Sequence, residues 1–465
     1  MNLKNNTLAL IILISTLSFS CKKFVDIRND TERSPVQTTG DCQQLLDNYD
    51  VMNVGYPSDG EASADDYYLS DASYTQTSLD AADRSIYVWA ARAIRPNSQP
   101  QWQSPYNTVY NANLVLDAVE NLRGTTTQTI LDGLKGQALF FRAYAFWQIA
   151  QLYAKPYLAT TAGQDQGIPL FLSSNISGRY DRGTVQQTYN RIIQDLNDAA
   201  GLLPTTITIA SRPNKTAAYA MLARVYLSME DYTQALNNAS LALAIKSTLL
   251  TYTTAMTTSN TPFARFNNEV IFHSVMTPGA TLMPGTPTSN IAKIDLALVN
   301  SYATNDFRRQ IFFKANTGID AGTFRFTGNY EPSINSNFFN GLAVDEIYLI
   351  RAECYARAGN PTSAMADLNT LLRTRWSGTY TNMTATSADD ALAKILIERR
   401  KELVMRGLRW TDLRRLNRDT RFVKTLTRTV SGTTYTLPPN DLRYTLLIPD
   451  EVVVKSNSAI QQNPR

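Results

Sequence analysis

The chain has 465 residues and a formal net charge of +4, which is long enough to bury a large core but too weakly basic for a nucleic-acid binder. Its lysines and arginines form no stripe except around 399–418, so no surface is set out to follow a phosphate backbone. One histidine and three cysteines exclude a Cys/His zinc cluster and a disulfide framework, and leave no Ser/His/Asp set to argue from.

The first element is a targeting segment. Lys4 supplies a positive start, residues 8–17 (LALIILISTL) are apolar, and Ser18, Phe19 and Ser20 precede Cys21. This is the layout of a secretory signal, and the apolar run is too short to span a bilayer. The small residue before Cys21 suits a lipoprotein signal peptidase, although Leu17 lies four positions before the cysteine where three is usual. Residues 1–20 are read as a lipoprotein signal peptide and Cys21 as the acylated first residue of the mature chain. No other stretch reaches 18 apolar residues, so no membrane-spanning helix is expected. Residues 21–40 are polar and mixed and read as a tether, with a root-mean-square span of about 25 Å and an upper reach near roughly 65 Å.

Residues 41–101 are a mixed region that includes the Tyr- and Asp-rich DDYYLSDASY. Helical periodicity dominates from 102 to 250. Tyr106 to Leu122 reads as a helix ended near Gly124. Gln137 to Tyr153 is apolar nearly all round and is expected to be a central buried helix. Tyr189, Ile192, Ile193, Leu196, Ala200 and Leu203 recur at helical spacing, and Pro204 closes that helix. An internal repeat follows. Tyr219, Leu222, Ala223, Tyr226, Ala235, Ala239 and Ala242 carry the large-small pattern of a tetratricopeptide unit. Tyr348, Ala352, Tyr355, Ala364, Leu368 and Leu371 fall at matching offsets. The turn between the paired helices sits near Asp231 in one unit and at Gly359-Asn360-Pro361 in the other. Such pairs bury their apolar faces only against neighbours, so several should stack.

Residues 251–340 break the pattern. They are rich in Thr, Asn, Gly, Pro and Phe, with short β-like runs such as EVIFHSV and GTFRF, and read as a loop-and-strand insertion. His273 lies in one of these runs and is expected in a strand core. Helical character returns over 341–420, where Cys354 sits in an apolar helical pattern as a small buried hydrophobe. A Cys42–Cys354 disulfide remains open. Residues 421–465 form a C-terminal extension.

Together these stretches resemble a known family. GQALFFRAYAFWQIAQLYAKPYL followed by QGIPLFL, the repeat unit RPNKTAAYAMLARVYLSMEDYTQAL, and DEIYLIRAECYARAGNPTSAMADLNTLLRTRW are similar to segments of the SusD/RagB proteins. IERRKELVMRGLRWTDLRRL and the Gln-Asn-Pro end of LLIPDEVVVKSNSAIQQNPR are similar in the same order. Gln137, Lys155 and Arg406 depart from the usual pattern. The resemblance implies a mainly α fold of about four tetratricopeptide-like helix pairs with a mixed loop and strand region that binds ligand. It implies a surface lipoprotein that captures a glycan, or in some members a peptide, and caps a TonB-dependent SusC-like transporter. No catalysis and no cofactor are expected.

Asp65-Asp66 and Asp389-Asp390 are paired carboxylates, but adjacent acids in polar loops are expected to be solvated rather than catalytic. The acids between Asp59 and Asp71 lack EF-hand spacing, so no metal ligand is assigned. Glu398, Arg399, Glu402, Arg409 and Asp412 are read as structural ion pairs that lock the last helices, with anion binding as the other reading. Phe140, Phe141, Tyr144, Phe146, Trp147 and Tyr153 are core. Tyr67, Tyr68, Tyr74, Trp89, Phe326 and Tyr330 are the candidates for stacking on a sugar ring, because they fall in the mixed segments. A protein–protein scaffold using its tetratricopeptide grooves is the competing function.

Overall fold

The computed structural model describes residues 36–465 apart from 176, 178, 179, 207, 208, 284 and 334–336. The expected signal peptide, the acylated Cys21 and most of the tether lie outside the described residues. The described helices and strands belong to the unit Thr38–Arg465. It opens with the helix Thr39–Leu46, whose Thr38 side chain accepts from Asp41 N–H while Asp41 accepts from Thr38 N–H.

Among the described residues, the scaffold is made by α1 (Gln103–Asn121), α2 (Gln128–Tyr153), α3 (Val185–Leu202), α4 (Lys215–Ser228), α5 (Tyr232–Ile245), α6 (Val344–Arg357), α7 (Pro361–Arg373), α8 (Ala388–Glu402) and α9 (Arg409–Leu416). Sequence neighbours pack together from α1 through α7, and α8 returns onto α6. The helices at 219–245 and 348–371 are the two repeat units read from the sequence. Their starts are set by side-chain caps: Asn214 on Ala217 N–H, Asp231 on Gln234 N–H and Asn360 on Ser363 N–H, with Pro361 at the first helical position. Gly359 reaches φ +77° to make the turn before it. The small residues Ala223, Ala235, Ala239, Ala352 and Ala364 are fully buried, which lets neighbouring helices approach closely. Arg224 of α4 then pairs with Glu346 of α6 at 2.6 and 2.8 Å, both fully buried.

Helix α2 is the centre. Every residue from Gly136 to Tyr153 is buried, so that stretch has no solvent face. It starts nine residues before the expected Gln137, because its first turns are polar and outside the apolar run. Its C-terminus would leave carbonyls unpaired. Arg414 of α9 donates to the Gln151 and Ala154 carbonyls, while Arg182 and Asn463 donate to that of Tyr153 at 2.8 and 3.0 Å. The C-terminal Gln-Asn-Pro stretch is therefore a cap on the core helix.

The mixed segments form two-stranded antiparallel pieces. Tyr67–Tyr68 pairs with Lys293–Ile294, which joins the N-terminal region to the insertion. His273 is buried just beyond the strand Val270–Phe272. Its Nδ1 lies 3.0 Å from the Tyr49 hydroxyl and its Nε2 2.8 Å from Glu331 Oε1. Cys42 and Cys354 are both free and buried in separate helices, so the disulfide left open by the sequence does not form. Each fills its place as a small apolar group.

Candidate ligand-binding site

The pairing of Tyr67–Tyr68 with Lys293–Ile294 creates a surface cavity. Side chains alternate along a strand. Tyr67 points inward, donates to the Ala62 carbonyl at 2.8 Å and lies beneath the Arg428 guanidinium. Tyr68 takes the other face and is half-buried. Opposite it, Lys293 is buried and held by three partners: Ser73 Oγ at 3.1 Å, the Asn290 carbonyl at 2.6 Å and Asp320 Oδ1 at 3.0 Å. Asp320 Oδ2 accepts from Asn290 N–H at 3.2 Å. Gly285 shapes the turn above. It has φ +60°, and a Cβ there would sit 2.1 Å from the Ser289 carbonyl oxygen, so only glycine fits.

The resulting space is about 410 Å3 and is lined by Tyr68, Gln76, Asn290, Lys293 and Asp320 among others. Ile319, 92% exposed, stands at its rim. The Asn290 amide is buried and finds no partner for either Nδ2 or Oδ1. Burial, with Asp320 and Asp295 nearby, pushes the Tyr68 hydroxyl above its usual range, so it remains a donor at neutral pH. One aromatic face, a fixed Lys–Asp pair, an amide and several hydroxyls are groups suited to a neutral polyhydroxylated molecule.

Of the six aromatics expected to meet ligand, only Tyr68 lines this cavity. Tyr74 is half-exposed and packs toward Tyr87 instead. The other four are core residues, which corrects the expectation. Trp89 is 3% exposed, donates its indole N–H to the Ser63 carbonyl at 2.9 Å and lies under Arg428. Phe326 packs against Phe312 and Phe338. Tyr330 is 1% exposed, with its hydroxyl 3.2 Å from Glu269 and its ring under Arg406. With few long strands, the mixed region needs these rings as its own core and uses buried arginines to cover their faces. Lys293, Asp320 and Asn290 were missed, since nothing local marks residues that meet Tyr68 only through a strand pair.

Asp389 is exposed and Asp390 half-buried, as expected of solvated acids, whereas the other pair differs. Asp65 and Asp66 are not solvated: Arg409 reaches Asp65 at 2.6 Å and Arg400 reaches Asp66 at 2.9 Å. The cluster in α8 and α9 is a set of ion pairs. Arg399 holds Asp412 at 2.8 Å, Glu398 meets Arg308 at 2.6 Å, and Glu402 bridges Arg308 at 2.9 Å and Arg375 at 2.7 Å. Arg375 continues to Glu269 at 2.5 Å, tying the insertion to the helices. Among the described residues no three His, Cys, Asp or Glu side chains are grouped to hold a metal.

A helical-repeat scaffold that presents a polar, aromatic-walled cavity in its inserted loops is the architecture of a binding protein. Two family models match the chain. One, described as starch-binding and associating with the outer membrane, covers residues 23–227, and the SusD family model covers 344–465. The chain belongs to the SusD/RagB family. It is 22% identical to SusD-like protein P38 of Formosa agariphila, over 89% of this chain and 92% of that one. A SusD superfamily structure from Bacteroides thetaiotaomicron superposes with a TM-score of 0.75 at 20% identity, covering 92% of this chain and 100% of the other. A SusD-like carbohydrate binding protein from Bacteroides vulgatus gives 0.69 at 21% identity, covering 91% and 97%. These structural likenesses establish the fold.

Proposed function

We propose that this chain is a cell-surface lipoprotein, held in the outer membrane through Cys21, that captures an oligosaccharide or polysaccharide and delivers it to a SusC-like TonB-dependent transporter. The observation that carries this reading is the cavity where Tyr68 of the N-terminal region faces Lys293, Asp320 and Asn290 of the insertion. A pyranose would lay its apolar face on the Tyr68 ring, and its hydroxyls would take up the unpartnered Asn290 amide. Binding is passive, with no bond made or broken. The starch-binding description of the matching family and the carbohydrate-binding relative support a glycan over a peptide. No helix among the described residues is long and apolar enough to cross a membrane, which is compatible with lipid anchoring.

The test is binding of the soluble form, residues 22–465, to panels of glycans and peptides. Tyr68→Ala should weaken glycan binding at least about fivefold, from the roughly 1 kcal/mol of a stacked ring, with helical content unchanged. Trp89→Ala should act through stability instead. A chain that binds only peptides overturns the glycan reading. Protection from hydrogen exchange confined to 217–247 and 343–373 places the ligand in the repeat groove and makes the chain a scaffold.

A further inference from the structure

A second cavity lies where the segment after α2 meets α9 and the turn at 440–445. Its volume is about 320 Å3, and it shares no lining residue with the first. That size falls at the lower end of small-molecule clefts, about 300–1,000 Å3. Its lining includes Lys155, Leu158, Arg414, Arg418, Leu442 and Tyr444.

The charges around this cavity do not cancel. Lys155 pairs with Asp165 at 2.6 Å, Arg418 with Glu230, and Asp441 with Arg443 at 2.8 Å. Arg414 is 3% exposed and has no carboxylate partner among the described residues. Two of its nitrogens donate to the carbonyls that end α2, and its Nε donates to nothing. A helix end offers roughly half a negative charge, so a net positive charge remains in the wall. Burial accordingly pulls the Arg414 guanidinium down to about 10, with Arg418 adding to the fall. The lip is different in character: Leu158 is 43% exposed and Leu442 46%. The Tyr444 ring is fixed by stacking on Trp410, with centroids 4.7 Å apart.

We propose that this cavity is a second binding site, for a sugar-sized molecule carrying one oxyanion group, a carboxylate or a sulfate ester. The anion would lie toward Arg414 and Lys155, and the apolar face of the ring toward Leu158 and Leu442. A guanidinium short of a counter-ion calls for an anion, and the exposed leucines call for more than a bare ion. The site stands apart from the first cavity and does not depend on that reading.

The experiment is calorimetric titration of the chain with galacturonate, galactose 6-sulfate, galactose and sodium sulfate, followed by hydrogen exchange. At least one of the two acidic sugars should bind about tenfold or more tightly than galactose, with affinity falling as salt rises. Which one binds names the oxyanion. Protection should appear in 155–165 and 440–445. Leu158→Asp and Lys155→Gln, both at accessible positions, should each lower the affinity about tenfold while leaving the melting temperature near that of the parent. Arg414→Gln probes the charge directly but also uncaps α2, so the two accessible variants carry the test if it fails to fold. Equal affinity for galactose, binding of sodium sulfate alone, or protection at residues 68–76 and 288–323 instead overturns the proposal.

Discussion

Glu402→Ala tests whether the insertion is held to the helices by buried charge. Glu402 Oε1 is 2.7 Å from Arg375 Nε, and Oε2 is 2.9 Å from Arg308 Nη1, with all three side chains fully buried. Removing the carboxylate leaves Arg308 with Asp306 and Glu398, and Arg375 with Glu269. Breaking a buried ion pair by deleting one partner costs about 3–5 kcal/mol, and the surviving partners put this case near 3. Unfolding a unit of roughly 430 residues carries an entropy of about 0.9 kcal/mol/K, so the melting temperature should fall by about 3–4 °C. Scanning calorimetry measures the shift, and titration with the glycan follows function. Binding at the first cavity should persist at low temperature, because Glu402 does not line it. A variant with an unchanged melting temperature, or one of normal stability that has lost binding, refutes the structural role.

Acid should destabilise the fold. Burial pushes Asp65, Asp306, Glu353 and Asp412 up, but the summed attraction and hydrogen bonds of the cations around each, led by Arg409, Arg308, Arg415 and Arg399, hold them below the usual carboxylate range. Depressed folded values mean stability is present above about pH 4 and lost as pH falls through them, so urea midpoints should drop sharply below about pH 4. A flat profile from pH 7 to 3 would refute this. Glu61 behaves oppositely: burial, then the adjacent Asp66, raises it well above its ordinary value. Glu61 accepts the Gly407 N–H at 2.9 Å, a bond that a glutamine oxygen can also accept. Its contribution is therefore present at low pH and lost as pH rises, so Glu61→Gln should raise the melting temperature more at pH 8 than at pH 5. The reverse order would show that Glu61 is ionised. Cys21→Ala should move the protein from the outer membrane to the soluble fraction, and unchanged retention would remove the anchor from the proposal.

The helices were readable because their signals are local. Apolar spacing placed α1, α3 and both repeat pairs, and Asp231 and Gly359-Asn360-Pro361 marked the turns that the caps confirm. The mixed region is held by contacts that no window of sequence contains. Tyr68 meets Lys293, Arg400 meets Asp66, and Arg375 meets Glu269, each pair far apart in the chain. Ranking aromatics by loop location failed for a physical reason: a region of two- and three-residue strands has little regular packing and spends its rings on a core. Trp89 and Tyr330 are consumed in that way, each beneath an arginine. A better signal was present in the Tyr-Tyr step itself. Strand alternation sends one ring inward and its neighbour out, so of Tyr67 and Tyr68 one had to face solvent. The same logic explains what the cavity leaves for a ligand. Lys293 bonds to both Ser73 and Asp320 and fixes the floor, whereas the Asn290 amide remains unsatisfied and the Tyr68 ring half-open. Rigid groups that satisfy each other hold the shape, and the few left unsatisfied set what can bind there.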